Sequence, residues 1–251
     1  MRIVHLDIET SPNTVYTWGL FKQNVGINQI VDPGRTICWA AKWHGKNKIH
    51  FDSEHESTHR AMVKGIWSLM NEADAVCHYN GARFDVPTLN KEFLKYSLQP
   101  PAPYKQIDLL KVVRKQFKHT SNKLDYISQQ LGIGEKVKHM GHDLWRGCMD
   151  GDESAWRLMK KYNIHDVRLL ETLYTRLLPW ITTHPNYALY TDTDRPVCTN
   201  CGGEKVHRRG IERTKTQQYR RFQCIECRTW MRSRMNITPA EKRPNVLVQV
   251  P

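Results

Sequence analysis

Two carboxylates near the N-terminus stand where they could do chemistry. Asp7 and Glu9 lie two positions apart within residues 2–10, whose other residues are mostly apolar. A β-strand repeats every two residues, so both side chains leave the same face of the predicted strand. Two anions held close together in a sheet repel each other and lose hydration, unless a cation lies between them. Mg²⁺ or Mn²⁺ would suit such oxygen ligands, whereas an edge strand with two solvated acids is the simpler alternative.

A third acidic side chain follows another predicted strand. Residues 75–79 are apolar enough for a strand, and Asn80-Gly81 then predicts a tight turn. Asp85 comes at the entry to the helix predicted next, where a carboxylate is also favourable simply because of the helix dipole.

A third candidate segment is the long helix predicted over residues 153–177, with Asp152 as its N-cap and Pro179 after its end. Tyr162 and Asp166 are four positions apart in it, so they share one face of the helix. Alone, that pair could equally be a solvated helix surface.

Four acidic residues and a tyrosine in this order resemble the DEDD family of 3′–5′ exonucleases, the DnaQ-like branch of the ribonuclease H-like superfamily. Asp7-Ile8-Glu9-Thr10 is similar to its first motif, residues 80–85 to its second and residues 162–166 to its third. The resemblance covers about residues 1–180. One branch of the family places His five residues before the final Asp, and the other places Tyr four before it. Lys161 and Tyr162 hold those positions here, so the chain resembles the Tyr branch.

The resemblance implies a site and a mechanism. The ligands of two Mg²⁺ or Mn²⁺ ions would be Asp7, Glu9, Asp85 and Asp166. Such a pair of ions, about 4 Å apart, would activate a water molecule and stabilise the leaving 3′-oxygen. Tyr162 would orient that water rather than act as a base, because the pKa of a free tyrosine is about 10. The residues lining the pocket for the terminal nucleotide would be Thr10, Asn80 and Phe84.

Two Cys-x-x-Cys pairs stand near the C-terminus. Their members are Cys198, Cys201, Cys224 and Cys227, and the strand-like run at residues 219–223 leads into the second pair. The pattern resembles a zinc ribbon, in which the four thiolates hold one structural Zn²⁺ in tetrahedral geometry. A redox dithiol is the alternative, which the presence of two pairs disfavours.

Charge points to a polyanionic partner. The 251-residue chain has a formal net charge of +13, and residues 198–243 contain twelve Lys or Arg against four Glu. Nucleic acid is the expected partner, DNA ahead of RNA. Arg220 and Arg221 are the candidate phosphate contacts, while Phe222 and Trp230 either stack on bases or form the core of the ribbon. A surface that docks replication or repair proteins is the rival interpretation.

Together these patterns predict an α/β fold with a ribonuclease H-like mixed sheet flanked by helices, followed by a small β zinc ribbon. The predicted boundaries are an exonuclease domain at 1–180, a linker at 181–196, a four-cysteine zinc ribbon at 197–235 and a tail at 236–251. Residues 139–151 are predicted to be irregular. In the helix predicted over 87–96, Leu89, Phe93 and Leu94 are expected to share the apolar face.

The expected function is removal of nucleotides from the 3′ end of DNA, with single-stranded ends favoured. A ribonuclease or a structure-specific nuclease of the same family is one alternative, and a nucleic-acid-binding ribbon protein with little catalysis is another. No stretch resembles a signal peptide or a membrane span, so a cytoplasmic protein of a bacterial or phage-infected cell is expected. His5, His139, His142 and His165 are given no ligand role.

Overall fold

The computed structural model describes residues 1–250. They divide into two compact units: Arg2–Tyr174 form the larger one, and Met1 with the chain from Thr175 onward forms the other. The helices and strands below are described within each unit. The predicted linker and tail boundaries stay predictions.

A five-stranded sheet forms the centre of the larger unit. The strands of this unit are β1 (Ile3–Thr10), β2 (Thr14–Val15), β3 (Ile30–Asp32), β4 (Thr36–Trp43), β5 (Ile49–Ser53), β6 (Ala75–His78) and β7 (Lys105–Asp108). The order across the sheet is β5-β4-β1-β6-β7, while β2 and β3 pair with each other as a short separate hairpin. β1 runs antiparallel to β4 and parallel to β6, so the sheet is mixed and β1 lies at its centre.

Six helices accompany this sheet. They are α1 (His59–Asn71), α2 (Asp85–Lys95), α3 (Leu109–Gln116), α4 (Leu124–Gln130), α5 (His142–Met149) and α6 (Glu153–Leu177). The predicted α/β class with a mixed sheet flanked by helices is confirmed. The side chain of Asp152 accepts a hydrogen bond of 2.8 Å from the backbone N–H of Ser154, as expected for the residue that caps α6.

The prediction that residues 139–151 are irregular was wrong, because α5 lies within them. This helix begins after Gly141, which has a φ of 59° and provides no side-chain cap. Only Leu144 and Cys148, one turn apart, are buried along it. A helix of eight residues with no capping side chain and two buried positions gives little periodic signal, because helical periodicity is readable only over longer windows.

The alternation of β1 divides its side chains between two environments. Val4, Leu6 and Ile8 join a core built with α1 and α2, which includes Met62, Ile66, Leu89 and Phe93. The intervening His5, Asp7 and Glu9 face the other side of the sheet, where α6 lies: Asp7 contacts Asn163 and His5 contacts Tyr174. The buried strand thereby presents three polar side chains to one helix.

The prediction of which residues share the apolar face of α2 is only partly confirmed. Leu89 and Phe93 are buried in the core, whereas Leu94 is 80% exposed. Leu94 is five positions after Leu89, which corresponds to about 500° of rotation around the helix axis and carries it off the buried stripe.

The smaller unit contains a three-stranded antiparallel sheet. Its strands are β8 (Val206–Arg213), β9 (Gln218–Cys224) and β10 (Trp230–Asn236), in the order β10-β9-β8. The predicted strand leading into the second cysteine pair is β9. Across residues 1–250, no helix has the length and apolarity that crossing a lipid bilayer requires.

Two leucines of α2 provide a matched test of the core. We expect Leu89→Ala to lower the free energy of unfolding of the larger unit by about 2–5 kcal/mol, because it opens a cavity beside β1. Leu94→Ala, the same chemical change on the same helix but at an exposed position, should change it by no more than about 0.5 kcal/mol. Urea denaturation followed by far-UV circular dichroism measures both, and equal losses would contradict the described packing.

Candidate active site and cysteine cluster

The carboxylate of Asp7 is held by a residue that the sequence analysis did not identify. Asn163 on α6 is fully buried, and its Nδ2 donates a 2.7 Å hydrogen bond to Asp7 Oδ2 and a 3.3 Å one to the Asp7 carbonyl. The sequence did not single it out, because it stands among other polar residues, namely Lys160, Lys161, His165 and Asp166. The amide fixes the orientation of the Asp7 carboxylate against α6 while leaving its other oxygen available.

Asp85 is joined to the same strand from α2. It is only 4% exposed, and its Oδ1 accepts a 3.2 Å hydrogen bond from the backbone N–H of Ile8, which stands between Asp7 and Glu9. Burial raises the pKa of Asp85 to about 7, although its own backbone N–H and that of Ile8 oppose the increase. The first turn of α2 thus brings a third carboxyl group to the end of β1.

The fourth carboxyl group, on α6, is paired with a lysine that was also not predicted. Lys136 Nζ forms an ion pair with Asp166 Oδ2 and lies 3.0 Å from the hydroxyl oxygen of Tyr162. Burial lowers the pKa of Lys136, but the neighbouring Asp166 carboxylate and Tyr162 hydroxyl outweigh it, so the pKa is raised overall. Asp166 is 1% exposed, and its Oδ1 has no hydrogen-bond partner.

All four carboxyl groups hold their protons more strongly than free side chains do. Burial and the proximity of Glu9, Asp85 and Asp166 raise the pKa of Asp7 well above its usual value. Burial raises the pKa of Glu9 to about 8, with Lys136 opposing the increase. The pKa of Asp166 is raised by burial, again against the effect of Lys136. Four carboxyl groups beside one half-buried cation, Lys136, therefore leave an excess of negative charge when ionised.

This donor set fits divalent cations that prefer oxygen ligands. The four carboxylates, the unpartnered Oδ1 of Asp166 and the excess of negative charge are what Mg²⁺ or Mn²⁺ would satisfy. Within residues 1–250, no three of these carboxylates bring oxygen atoms within 4.8 Å of one another. The oxygens are therefore spread over more space than the ligand shell of one ion.

α5 and the segment before it add aromatic rings to the site. The ring of Tyr162 meets His139 and Trp145 edge to face, at centroid distances of 5.0 Å and 6.1 Å. Trp145 also opposes the increase in the pKa of Glu9. Burial raises the pKa of Tyr162, with further contributions from Asp166 and Glu9, so the phenol remains protonated and able to donate.

The turn after β6 has the backbone conformation that its sequence predicted. Asn80 has a φ of 69°, in the left-handed region, and its N–H donates to Asp108 Oδ1 at 3.0 Å. At Gly81 a Cβ atom would lie 2.5 Å from the ring of His78, so a larger residue would not fit. The glycine permits the chain to turn tightly against β6.

A cavity of about 570 Å³ opens beside Asp7. Its lining residues are Asp7, Tyr79, Asn80, Leu110, Arg114, Asn122, Lys123, Leu124, Asp125 and Lys136. Of the three predicted nucleotide-binding residues only Asn80 lines it. Phe84 is 44% exposed at the start of α2, and Thr10 is half-buried at the end of β1. Arg114 and Lys123 give the cavity a basic wall.

In the smaller unit the four predicted cysteines meet. All four Sγ atoms lie within 4.8 Å of one another. Two of the distances between them are 3.4 Å, from Cys198 to Cys227, and 3.7 Å, from Cys201 to Cys224. With Zn–S bonds of about 2.3 Å, the edge of a tetrahedral site is about 3.8 Å, so the cluster fits Zn²⁺ closely. None of the seven cysteines forms a disulfide.

The two predicted phosphate contacts lie on different faces of the ribbon sheet. Arg221 lies over the ring of Trp230 at 4.9 Å, and Arg232 lies over Tyr219 at 4.0 Å. Arg221 and Arg232 are paired in register, which places these four residues on one face. Arg220, one position along β9, leaves the opposite face. Trp230 is 52% exposed, so of the two alternatives for this residue the ribbon core is excluded and a surface position remains.

Comparison with known proteins bears on the larger unit. A family model described as RNase_H superfamily matches residues 32–178, a range that includes Asp85, Tyr162 and Asp166 but begins after Asp7 and Glu9. Among solved structures, a family B DNA polymerase from the hyperthermophilic archaeon Pyrobaculum calidifontis is similar, with a TM-score of 0.55 and 18% sequence identity. The match covers 71% of this chain and 24% of that one, and at this identity it shows the fold alone. No curated protein matches significantly.

The raised carboxyl pKa values predict how stability depends on pH. In the folded protein the pKa of Asp85 is about 7 and that of Glu9 is about 8. Both exceed the unfolded-state value of about 4, so folding favours the neutral form of each carboxyl group. Their contribution to stability is complete below about pH 4 and is lost as the pH rises to about 8. We therefore expect the melting temperature without divalent cations to be lower at about pH 8.5 than at about pH 6, and Mg²⁺ to raise it more at the higher pH.

Variants separate this effect from other titrations. The double variant Glu9→Gln and Asp85→Asn should show a smaller difference in melting temperature between the two pH values than wild type, and the part that remains would come from Asp7 and Asp166, whose pKa values are also raised. Asp150→Asn, which alters an exposed acid on the same domain, should keep the full difference. Thermal unfolding by differential scanning fluorimetry measures all three proteins, and an unchanged pH dependence in the double variant would contradict the assignment.

Proposed function

The chain belongs to the RNase_H superfamily, and on that premise we propose that it is a metal-dependent 3′–5′ exonuclease that shortens DNA from its 3′ end. Superfamily membership supports a nuclease. The 3′–5′ direction of cleavage, the preference for DNA over RNA and the two-metal mechanism are our proposal.

The observation that carries the proposal is the convergence of four acidic side chains on the end of β1. Asp7 and Glu9 come from the strand itself, Asp85 from α2 through its bond to Ile8, and Asp166 from α6. A protein gains no stability from burying like charges in this way, since their mutual repulsion and desolvation both oppose folding. Such an arrangement is typical of a site that binds cations for catalysis.

Divalent ions bound to these carboxylates would supply an activated water and charge stabilisation for the leaving 3′-oxygen. Tyr162, whose raised pKa keeps it protonated, would donate a hydrogen bond that orients the attacking water or the scissile phosphate. Lys136 would place a permanent positive charge beside Asp166 and toward the phosphate oxygens. Asn163 would hold Asp7 in the orientation needed to bind metal.

The cavity beside Asp7 supports a nucleotide chain as substrate. Arg114 and Lys123 on its wall can contact phosphates, and Asn80 lies where the terminal nucleotide would bind. The net charge of +13 favours a polyanion in the same way. We place DNA ahead of RNA and single-stranded ends ahead of duplex ends. A ribonuclease or a structure-specific nuclease remains the alternative within the same superfamily.

For the smaller unit we propose that a structural Zn²⁺ at the four cysteines holds a surface that binds single-stranded nucleic acid. The two cation–π pairs, Arg221 with Trp230 and Arg232 with Tyr219, hold flat groups and positive charge on one face of the sheet. Bases stack on such groups regardless of sequence, and the arginines pair with phosphates. Docking of a replication or repair protein is the rival role.

The catalytic proposal is tested by cleavage of DNA and RNA of one sequence, labelled at either end. We expect a ladder that shortens from the 3′ end and requires Mg²⁺ or Mn²⁺. Asp166→Asn should slow it at least about a hundredfold, a loss of about 2.7 kcal/mol of transition-state stabilisation. Asp150→Asn, an exposed acid outside the cluster, should retain activity.

Each alternative gives a different result in this assay. Cleavage of RNA with DNA spared would assign a ribonuclease, and internal products would assign a structure-specific nuclease. Equal cleavage by wild type and Asp166→Asn would contradict the proposal. Binding without any cleavage would favour a nucleic-acid-binding protein.

The ribbon proposal is tested by fluorescence anisotropy with labelled single-stranded DNA. Trp230→Ala should weaken binding by about 1–3 kcal/mol if one base stacks on the ring. Arg221→Ala should weaken it more than Arg220→Ala, since only Arg221 shares the face of Trp230. Full affinity in Trp230→Ala would instead favour the protein-docking role.

A further inference from the structure

Two histidines and a glutamate meet at the opposite end of β1 from the carboxylate cluster. His5 lies on β1 and is fully buried, His44 directly follows β4, and Glu171 is on α6. Within residues 1–250 only this group and the four cysteines bring three or more ligand atoms of His, Cys, Asp or Glu within 4.8 Å of one another. The proposed nuclease mechanism uses none of the three residues.

The distances between the ligand atoms match those around a tetrahedral ion. His5 Nε2 lies 3.2 Å from His44 Nδ1, and His44 Nδ1 lies 3.4 Å from Glu171 Oε1. Zinc binds imidazole nitrogen and carboxylate oxygen at about 2.0–2.1 Å, which makes the edge of the tetrahedron about 3.3 Å. Both distances agree with that edge, and the three ligands come from three different elements of the fold.

The surrounding residues hold the ligands in place. Tyr174 packs edge to face against both imidazole rings, at centroid distances of 5.2 Å and 5.0 Å. The backbone N–H of Gly45 donates to Glu171 Oε1 at 2.9 Å, and Lys42 pairs with the other oxygen, Oε2. A carboxylate oxygen can accept a hydrogen bond from an N–H and bind an ion at the same time. Glu171 Oε1 can therefore keep its bond from Gly45 and still bind an ion next to His44. Lys42 occupies only the other oxygen.

Both imidazoles are in the form that binds metal. Burial lowers the pKa of His5 and of His44, so each ring is neutral and each has one nitrogen with a free lone pair. Without an ion, one of the two contacting nitrogens must carry a hydrogen, and His5 Nε2 and His44 Nδ1 then form a hydrogen bond. That is the competing interpretation, and it explains the contact between the histidines but not the convergence of Glu171 on the same nitrogen.

We propose that His5 Nε2, His44 Nδ1 and Glu171 Oε1 bind one Zn²⁺, with the fourth position open to solvent beside the exposed His44. Imidazole with one carboxylate favours a transition-metal ion such as Zn²⁺, whereas the all-carboxylate cluster favours Mg²⁺ or Mn²⁺. The ion would fasten the turn after β4 and the later part of α6 to β1. This proposal does not depend on the nuclease activity.

The zinc content of the protein tests the site directly. Wild type, His44→Ala and His142→Ala are prepared without a polyhistidine tag, dialysed against buffered Zn²⁺ with excess Mg²⁺, and analysed for zinc per chain by mass spectrometry. We expect His44→Ala to contain one zinc fewer than wild type, because it removes a central ligand. His142→Ala removes an exposed histidine of α5 and should contain the same amount as wild type.

Glu171→Gln provides a second variant that preserves the shape of the side chain. It should retain zinc more weakly than wild type and lose it first when a chelator is titrated. The cysteine site is followed separately with Co²⁺, because thiolate ligands give an intense charge-transfer band that an imidazole and carboxylate site lacks. Equal zinc content in wild type, His44→Ala and Glu171→Gln, with the cobalt–thiolate band intact, would overturn the proposal and leave a hydrogen bond between two neutral histidines.

Discussion

Desolvation of the carboxyl groups at the end of β1 is the constraint on which the larger unit depends. α6 packs across the sheet face that carries His5, Asp7 and Glu9, and the acidic groups there are partly withdrawn from water: Asp85 and Asp166 are buried, and Asp7 and Glu9 are half-buried. The fold offers only partial compensation: an amide from Asn163, a backbone N–H from Ile8 and one ammonium from Lys136. These groups do not neutralise all the charge when the carboxyl groups ionise, and bound divalent cations would reduce the repulsion that remains.

Much of this site could be predicted from the sequence because its parts are local. The alternation of β1, the turn at Asn80 and the four-residue spacing of Tyr162 and Asp166 each follow from the geometry of a single element. Lys136 and Asn163 could not be found in that way. Lys136 lies in a segment without periodicity, and its role depends on its reaching α6, thirty residues along the chain. Asn163 becomes meaningful only once α6 is known to lie against β1.

In the ribbon, too, some features could be predicted from local sequence, whereas others depend on the tertiary structure. The spacing of the cysteines was enough to predict the cluster, because a Cys-x-x-Cys turn brings two sulfurs together whatever surrounds it. The alternation of β9 also requires Arg220 and Arg221 to face opposite sides. Which side carries the exposed Trp230 depends on the register with β10, and register is not a property of either strand alone. The sequence alone therefore left Trp230 between a place in the core and a place on the surface.

One face of β1 supplies ligands of two chemical kinds, and donor type decides what each can hold. Asp7 and Glu9 offer hard oxygens in a cluster too wide for a single ion, whereas two residues earlier His5 offers a nitrogen at tetrahedral spacing. Mg²⁺ and Mn²⁺ prefer oxygen ligands and would leave the histidines unused, whereas imidazole nitrogen suits Zn²⁺. Because α6 supplies Asp166 to one site and Glu171 to the other, an ion at the histidines would restrain the helix that positions Asp166. Zinc there would stabilise the geometry of the first site without taking part in its chemistry.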